Sequence, residues 1–285
     1  MAHRETRASA RVRRVVAIVL ATATLAALLA WLLSSPEARL PAPSEPSAPS
    51  ATAPLAPTSA REATPTGAPV TPEITTVAGD ESFRLHVFTI PLQGARFRVI
   101  DLGMSRDLAT TRARTEASLV INGGFFDKEE APEGLVISEG TTISPRSDTL
   151  GGGVIAVTAE RASLSPAEGY TPPPDVRFAV QARPRLVVSG KSTIVKDDGR
   201  AAPRTALCVR DAGRTLEAVI ARGDAGAGPT LSLLADMLVS RGCEAALNLD
   251  GGPSTGAAFR DGEGTHDLPP RGPLRHAIAI WLPPP

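Results

Sequence analysis

From residue 83 to the end of the chain, apolar and polar positions alternate over short segments, or short apolar runs stand between turn residues. Both patterns are typical of β-strands, exposed on one face in the first case and buried in the second. The segments predicted as strands are Phe83–Ile90, Ala95–Leu102, Leu119–Ile121, 134–140, Val154–Val157, Phe178–Ala182, Leu186–Ser189, Thr205–Arg210, Leu216–Ala221, 245–250 and His276–Leu282.

Two segments have the pattern of helices instead. Residues 107–117 are polar with several Ala and Arg, and Ser105 is a candidate N-cap. Residues 230–241 carry leucines at helical spacing and end before Gly242. Many hairpin-like strands with few helices predict an α+β fold, with a largely antiparallel sheet and a few packed helices in a single domain.

Two of the predicted strands end in the same unusual way. Leu119–Ile121 continues into Asn122-Gly123-Gly124, and the strand at 245–250 contains Asn248 and Asp250 before Gly251-Gly252. Asn122 and Asn248 are the two asparagines of the whole chain. Asn and Gly both favour turns, so one interpretation is a pair of ordinary turn asparagines. The matching placements favour the alternative, that the two junctions have a function.

The second junction has the groups needed to bind a polar ligand. In an extended strand Asn248 and Asp250 point to the same side, so amide and carboxylate lie together at the strand end. Glycines let a backbone approach a ligand closely, and their N–H groups can form an anion-binding nest. Ser254 and Thr255 add hydroxyl groups. Neither a Ser–His nor a Cys–His pairing is evident, and the acidic residues are too sparse for an EF-hand loop.

Arg204 supplies a cation at the start of a predicted strand, directly after Pro203. A guanidinium in such a place is suited to forked hydrogen bonds with phosphate or carboxylate. An arginine at a strand start is more often simply solvated, and the same argument applies more weakly to Arg183. Gly151-Gly152-Gly153 lacks the Lys-Ser/Thr of a phosphate loop and precedes a strand, so we interpret it as a bulge or a close backbone approach.

The first 72 residues differ from the rest in composition. Residues 1–14 are basic, and residues 15–33 are uncharged and rich in Ala, Leu and Val, which is long enough for one transmembrane helix. The pattern predicts a signal anchor with its N-terminal side in the cytoplasm; a cleaved signal peptide is the alternative. Residues 34–72 contain ten prolines and are predicted to be an extended linker. The following domain, 73–285, would then be extracytoplasmic, anchored in the membrane or secreted if the anchor is cleaved.

Charge and cysteine content limit the partners of that domain. The chain has 30 Lys and Arg against 30 Asp and Glu, and residues 73–285 alone have a net charge of −3. With no basic stripe, and with one Tyr and two Trp in the whole chain, nucleic-acid binding is not expected. Cys208 and Cys243 cannot form a metal site alone. A disulfide between them is compatible with an oxidising compartment, and two buried thiols are the other possibility.

Three motifs carry a resemblance to a known family. Ile121-Asn122-Gly123-Gly124-Phe125-Phe126, Arg204-Thr205-Ala206 and 247–252 (Leu-Asn-Leu-Asp-Gly-Gly) with Ser254 occur in the order seen in the phosphodiester glycosidase family. The likeness covers about residues 83–282. Where that family has a third glycine this chain has Pro253, which removes one N–H from the turn.

The resemblance implies hydrolysis of a sugar joined through its anomeric carbon to a phosphodiester. We expect no cofactor and assign no metal ligands, and the sequence leaves a metal requirement open. Ordinary glycosidases use two carboxylates, one of which protonates a poor leaving group. A phosphate leaves as a stable anion, so one carboxylate can suffice. We therefore expect Asp250 to act as base or electrostatic stabiliser and Arg204 to hold the phosphate. The expected substrate-binding residues are Asn122, Gly123, Gly124, Asp127, Arg183, Asn248, Gly251, Gly252, Ser254 and Thr255, with Asp127 and Glu133 as reserve carboxylates.

The expected substrate is a carbohydrate phosphodiester or an envelope glycan. The first alternative to an enzyme is a membrane-tethered module that binds envelope glycans without cleaving them, because an anchor and a long linker also suit such a module. A purely structural envelope domain is the second, and it leaves the two asparagines unexplained.

Overall fold

The computed structural model describes residues 66–78 and 82–284. The predicted signal anchor at 15–33 and most of the predicted linker lie outside these ranges. Within them, no helix is long and apolar enough to cross a membrane. Residues 66–72, which we assigned to the end of the linker, pack on the domain: Val70 is buried in the main core, and its N–H donates to the carbonyl of Arg260.

Seventeen strands and two α-helices make up the described part of the chain. The strands are β1 Glu73–Val77, β2 Phe83–Pro91, β3 Arg96–Ser105, β4 Leu119–Asn122, β5 Val136–Ser138, β6 Thr141–Ser144, β7 Gly153–Val157, β8 Ala162–Pro166, β9 Phe178–Ala182, β10 Arg185–Val188, β11 Lys191–Ser192, β12 Arg204–Arg210, β13 Thr215–Arg222, β14 Ala245–Asn248, β15 Ala257–Arg260, β16 Thr265–Leu268 and β17 Leu274–Trp281. The helices are α1 Leu108–Thr115 and α2 Leu231–Ser240.

All strand pairings among the described residues are antiparallel, and they form three sheets. Sheet A has the order β1-β2-β13-β12-β14-β10-β11, sheet B has β16-β15-β4-β17-β3, and sheet C has β6-β5-β9-β7-β8. The mostly antiparallel sheet predicted from the sequence is confirmed, as are two helices packed on it.

The main hydrophobic core lies where the three sheets meet. Alternate residues of the central strands point into it, among them Ile121 of sheet B, Phe178 of sheet C and Leu207 of sheet A. Helix α2 covers the other face of sheet A, and α1 packs on the outer side of sheet B. Polar residues at the strand ends are therefore the ones left to form a site.

Helix α1 is capped by a different residue from the one we expected. The side chain of Asp107 accepts a hydrogen bond from the Thr110 N–H at 2.7 Å, which makes Asp107 the N-cap. The Ser105 hydroxyl instead accepts from the N–H of Asp107, before the helix begins. The prediction of Ser105 as the cap was wrong because a carboxylate stood two residues closer to the helix.

Cys208 and Cys243 form a disulfide that joins β12 to the segment before β14. Beside the disulfide, the buried carboxylate of Glu217 accepts a hydrogen bond from Arg210 at 2.8 Å and lies 3.6 Å from the guanidinium of Arg241. Of the two possibilities left open by the sequence, the structure has the disulfide.

Candidate functional site

The two asparagine junctions contact each other, although they belong to different sheets. Asn122 ends β4 of sheet B, and Asn248 ends β14 of sheet A. A cavity of about 390 Å³ opens beside the second junction, and its wall includes Asn248, Asp250 and Arg204. These three residues come together because β12 and β14 are adjacent and antiparallel, so the start of one lies beside the end of the other.

Asp250 is the one carboxylate among the described residues that line this cavity. Burial raises the pKa of Asp250 above the usual range for a carboxyl, and hydrogen bonds from Ser254 and from the Gly251 N–H partly oppose that effect. The Gly251 N–H lies 2.8 Å from Oδ1. A partly buried carboxylate with a raised pKa can take a proton from a bound water near neutral pH.

Arg204 is held so that one edge of its guanidinium remains free. Nη2 donates to the carbonyl of Arg200 at 2.7 Å, and Nε donates to the carbonyl of Pro229 at 3.4 Å. Nη1 has no protein partner within the described ranges, and Arg204 lines the cavity. The unpaired Nη1 can donate to an anionic ligand, and a phosphate contact of Arg204 stays a prediction.

Two more arginines line the same cavity. Arg183 and Arg200 are both exposed at its mouth, and each comes from a loop rather than from a strand. Asp197 and Asp198, on the loop that carries Arg200, lie close enough to affect the pKa of Arg204 but do not line the cavity. Three guanidinium groups and one carboxylate leave the cavity wall cationic, which suits an anionic ligand.

Asn248 lines the cavity, and its side chain has an acceptor without a donor. Its Nδ2 donates to the carbonyls of Arg183 and Leu249, at 2.9 and 2.8 Å, so the orientation of the amide is fixed. Its Oδ1 is buried and has no partner in the described structure. A buried acceptor without a donor costs free energy unless a ligand supplies one, so Asn248 is suited to a ligand hydroxyl or N–H.

Asn122 has a different environment from Asn248. Its side chain is fully buried, and both ends of the amide are bonded to protein groups. Nδ2 donates to the carbonyl of Asp250 at 2.8 Å, and Oδ1 accepts from the Thr205 hydroxyl at 2.7 Å. Direct binding of a sugar hydroxyl, our expectation for Asn122, would require one of these bonds to break.

Gly123 and Gly124 pack against a histidine that we did not single out. Their N–H groups donate to the carbonyl and to Nε2 of His276, both at 3.0 Å. A Cβ at Gly123 would lie 2.2 Å from the His276 ring, so only glycine fits. The N–H groups of Gly123 and Gly124, two residues expected to bind substrate, are therefore occupied by protein acceptors. In the sequence His276 is one of four histidines and lies at the start of a predicted apolar strand, and that position is the one feature that could have marked it as a site residue.

The Gly251-Gly252 turn lines the cavity, but its N–H groups are also in use. The Gly251 N–H is bound to the Asp250 carboxylate, and the Gly252 N–H donates to the carbonyl of Pro203 at 2.7 Å. Pro253 lies in the first positions of a 3-10 turn, Gly252–Ser254, where its missing N–H is not needed. The positive charge at this site thus comes from side chains, not from a backbone nest.

None of the remaining residues predicted for the site lines the cavity. Ser254 is buried, and its hydroxyl lowers the pKa of Asp250; Thr255 is buried without lining the cavity. Asp127 is exposed, and its carboxylate accepts from the Ala131 N–H within a local turn. Neither Asp127 nor Glu133 lines the cavity, so neither lies where a reserve carboxylate was expected. Arg200 was missed because its loop has no pattern beyond its charges.

Known structures share this architecture at low sequence identity. The catalytic domain of zebrafish N-acetylglucosamine-1-phosphodiester α-N-acetylglucosaminidase, auto-inhibited by its pro-peptide, superposes with a TM-score of 0.58 at 17% identity, over 78% of this chain and 85% of that one. A hypothetical protein from Synechocystis superposes with a TM-score of 0.56 at 18% identity, over 75% of this chain. The chain spans 62% of the Synechocystis structure. No curated protein sequence matched the chain.

Those likenesses concern the fold, and the sequence itself identifies the family. The family model of phosphodiester glycosidases matches residues 115–280, which takes in both asparagine junctions, Arg204 and the strand of His276. The resemblance found in the three motifs is thereby confirmed, and the chain belongs to the phosphodiester glycosidase family.

Proposed function

We propose that this domain hydrolyses a glycosyl-1-phosphodiester, cleaving the bond between the anomeric carbon of a sugar and a phosphate oxygen. The observation that carries the proposal is the pairing, in one cavity, of a single partly buried carboxylate with three guanidinium groups. The cations suit a phosphate, and one carboxylate suffices because a phosphate is a good leaving group.

The polar side chains that line the cavity each have a role in the proposed reaction. The free edge of Arg204 binds the phosphate, and Arg183 and Arg200 add charge at the mouth. Oδ1 of Asn248 accepts a hydrogen bond from a sugar hydroxyl or an N-acetyl N–H. Asp250 takes a proton from water as the water oxygen bonds to the anomeric carbon. The electron pair of the breaking C–O bond passes to the phosphate oxygen, and the cations stabilise the charge that develops there.

The proposal includes an extracytoplasmic location. It is supported by the apolar segment 15–33 with its basic N-terminal flank, and by the disulfide between Cys208 and Cys243, since disulfides persist in oxidising compartments. Glycans of the cell envelope are the substrates that such a location makes available. The zebrafish enzyme named above acts on an N-acetylglucosamine-1-phosphodiester, which makes that sugar the first to test.

The test is sugar release from a panel of methyl sugar-1-phosphates, beginning with N-acetylglucosamine, by the protein and by two variants. Asp250→Asn should lower kcat by on the order of 10²-fold or more, because the amide cannot act as a base. Asp127→Asn is the matched control, an exposed aspartate in the turn after β4 that lies outside the cavity, and it should retain the wild-type rate.

Equal rates for Asp250→Asn and the wild type would show that Asp250 is not the base in the reaction. Binding of the sugar phosphates without release of sugar would contradict the enzyme proposal and would indicate a glycan-binding module.

Arg204→Lys separates the phosphate contact from the sugar contact. It should weaken binding of sugar phosphates more than binding of the free sugar, because a point charge does not replace a bidentate fork. Equal weakening of both would contradict a phosphate contact.

A further inference from the structure

Asn122 connects the two chain segments that carry the proposed catalytic groups. Its Nδ2 binds the backbone carbonyl of Asp250, the proposed base. Its Oδ1 binds the hydroxyl of Thr205, which directly follows the phosphate-binding Arg204. Oδ1 also accepts from the N–H of Gly256 at 3.2 Å. One side chain of sheet B therefore holds both segments of sheet A and the start of β15.

The hydrogen bonds of Asn122 are additional to those of the strand pairing. The pairing of β12 with β14 ends at Ala206 and Asn248. Beyond it, Thr205 accepts from the N–H of Leu249 at 2.8 Å and Pro203 accepts from the N–H of Gly252. Asp250 lies between these two backbone bonds, and its carbonyl is bound by Asn122 alone among the described residues. The direction of the Asp250 peptide thus depends on a side chain from another sheet.

Asn122 cannot itself take part in the chemistry. It has no exposed surface and does not line the cavity, and each end of its amide already has protein partners. The Thr205 hydroxyl is likewise fully buried. A buried amide with every group satisfied gives a rigid connection, since any shift breaks hydrogen bonds that water cannot replace.

We propose that Asn122 is a positioning residue, which fixes the Asp250 carboxylate relative to Arg204 through the Asp250 carbonyl and the Thr205 hydroxyl. The proposal rests on the proposed function, because it assigns the roles of base and phosphate anchor to those two residues. It also replaces the expected contact between Asn122 and a sugar hydroxyl. Only one of the chain's two asparagines then faces the substrate, and the other sets the geometry behind it.

The experiment compares Asn122→Ser and Thr205→Val with Ser118→Ala in the full chain. Ser118 is also fully buried near β4, at the opposite end of that strand, and its hydroxyl accepts from the Leu282 N–H at 3.0 Å. The control therefore removes a buried hydrogen bond far from the cavity. Asn122→Ser should lower kcat by on the order of 10²-fold with little change in KM, the expected effect of misplacing a catalytic group by about 1 Å. Thr205→Val should lower it less, and Ser118→Ala should not lower it.

A double-mutant cycle distinguishes positioning from general destabilisation. If Asn122 acts through Asp250, adding Asn122→Ser to Asp250→Asn should cost little further activity. A full additional loss in that background would overturn the proposal, as would an unchanged kcat in Asn122→Ser alone.

Crystal structures of the wild type and Asn122→Ser provide a test that needs no activity. The proposal predicts that the Asp250 carboxylate moves relative to the Arg204 guanidinium in the variant, while β4 and β15 keep their places. An unmoved carboxylate overturns it. An inactive wild type would instead contradict the proposed function, and the two structures would still decide whether Asn122 sets this geometry.

Discussion

His276 should make the stability of this protein depend steeply on pH. The ring is buried behind the Gly123-Gly124 turn and accepts the Gly124 N–H at Nε2. Burial, with a smaller effect of Arg275 and against the opposing effect of Asp101, lowers the pKa of His276 to about 4. In the unfolded chain the pKa returns to about 6.5, so the unfolded state binds the proton more strongly.

Proton linkage gives the direction and the size of this dependence of stability on pH. The contribution of neutral His276 to the free energy of unfolding is fully present above the pKa that His276 has in the unfolded chain. It is lost as the pH falls from 6.5 towards 4, because the unfolded state binds the proton more strongly. A pKa difference of about 2.5, at about 1.36 kcal/mol for each pH unit, gives a loss of about 3 kcal/mol between pH 7 and pH 4. That loss is a large fraction of the stability of a typical domain, about 5–15 kcal/mol.

The assay is urea unfolding at a series of pH values between 7 and 4, for the wild type and for His276→Gln. Gln can still accept the Gly124 N–H but does not titrate, so its stability should fall by about 3 kcal/mol less over this range. Carboxylates contribute equally to both proteins and cancel. His86→Gln is the control for the other buried histidine, whose pKa is also lowered by burial. Parallel pH dependences for wild type and His276→Gln would refute the reasoning.

The remaining predictions concern the base and the disulfide. The Ser254 hydroxyl lowers the pKa of Asp250, so Ser254→Ala should move the acid limb of kcat/KM to higher pH. An unchanged acid limb on the same substrate would show that Ser254 does not affect the pKa of the base. The double variant Cys208→Ser, Cys243→Ser opens a loop with a sequence separation of 35, which should lower the free energy of unfolding by about 4 kcal/mol in denaturant titrations. A loss below about 1 kcal/mol would show that the unfolded chain gains little freedom when the bond is absent.

Local pattern was enough for most of the strands and for both helices. Alternation and apolar runs located β2, β12 and β13 to within one residue, because the side chains of a strand face opposite sides and one side is buried here. The strands that were missed are short or largely exposed. Strand β1 is one of them, and its pattern carries no burial signal since it lies at the edge of sheet A.

The site residues divide according to where their partners lie in the chain. The sequence pointed to Asp250 and Arg204 because their own neighbours, a glycine pair and a proline, mark strand ends. It could not show that the N–H groups of Gly123 and Gly124 are taken by His276, more than 150 residues away. That contact exists only because β17 pairs with β4 in sheet B.

By itself the sequence determined the family, the strand ends and the residue types at the site. Tertiary structure decided which of those residues face the cavity. Asn122 and Asn248 occupy matching positions in the sequence, yet one is enclosed by three other segments while the other keeps an unpaired acceptor at the cavity wall. The physical reason is that a polar group's role depends on which hydrogen bonds the protein has already made to it, and those bonds come from long-range strand pairing.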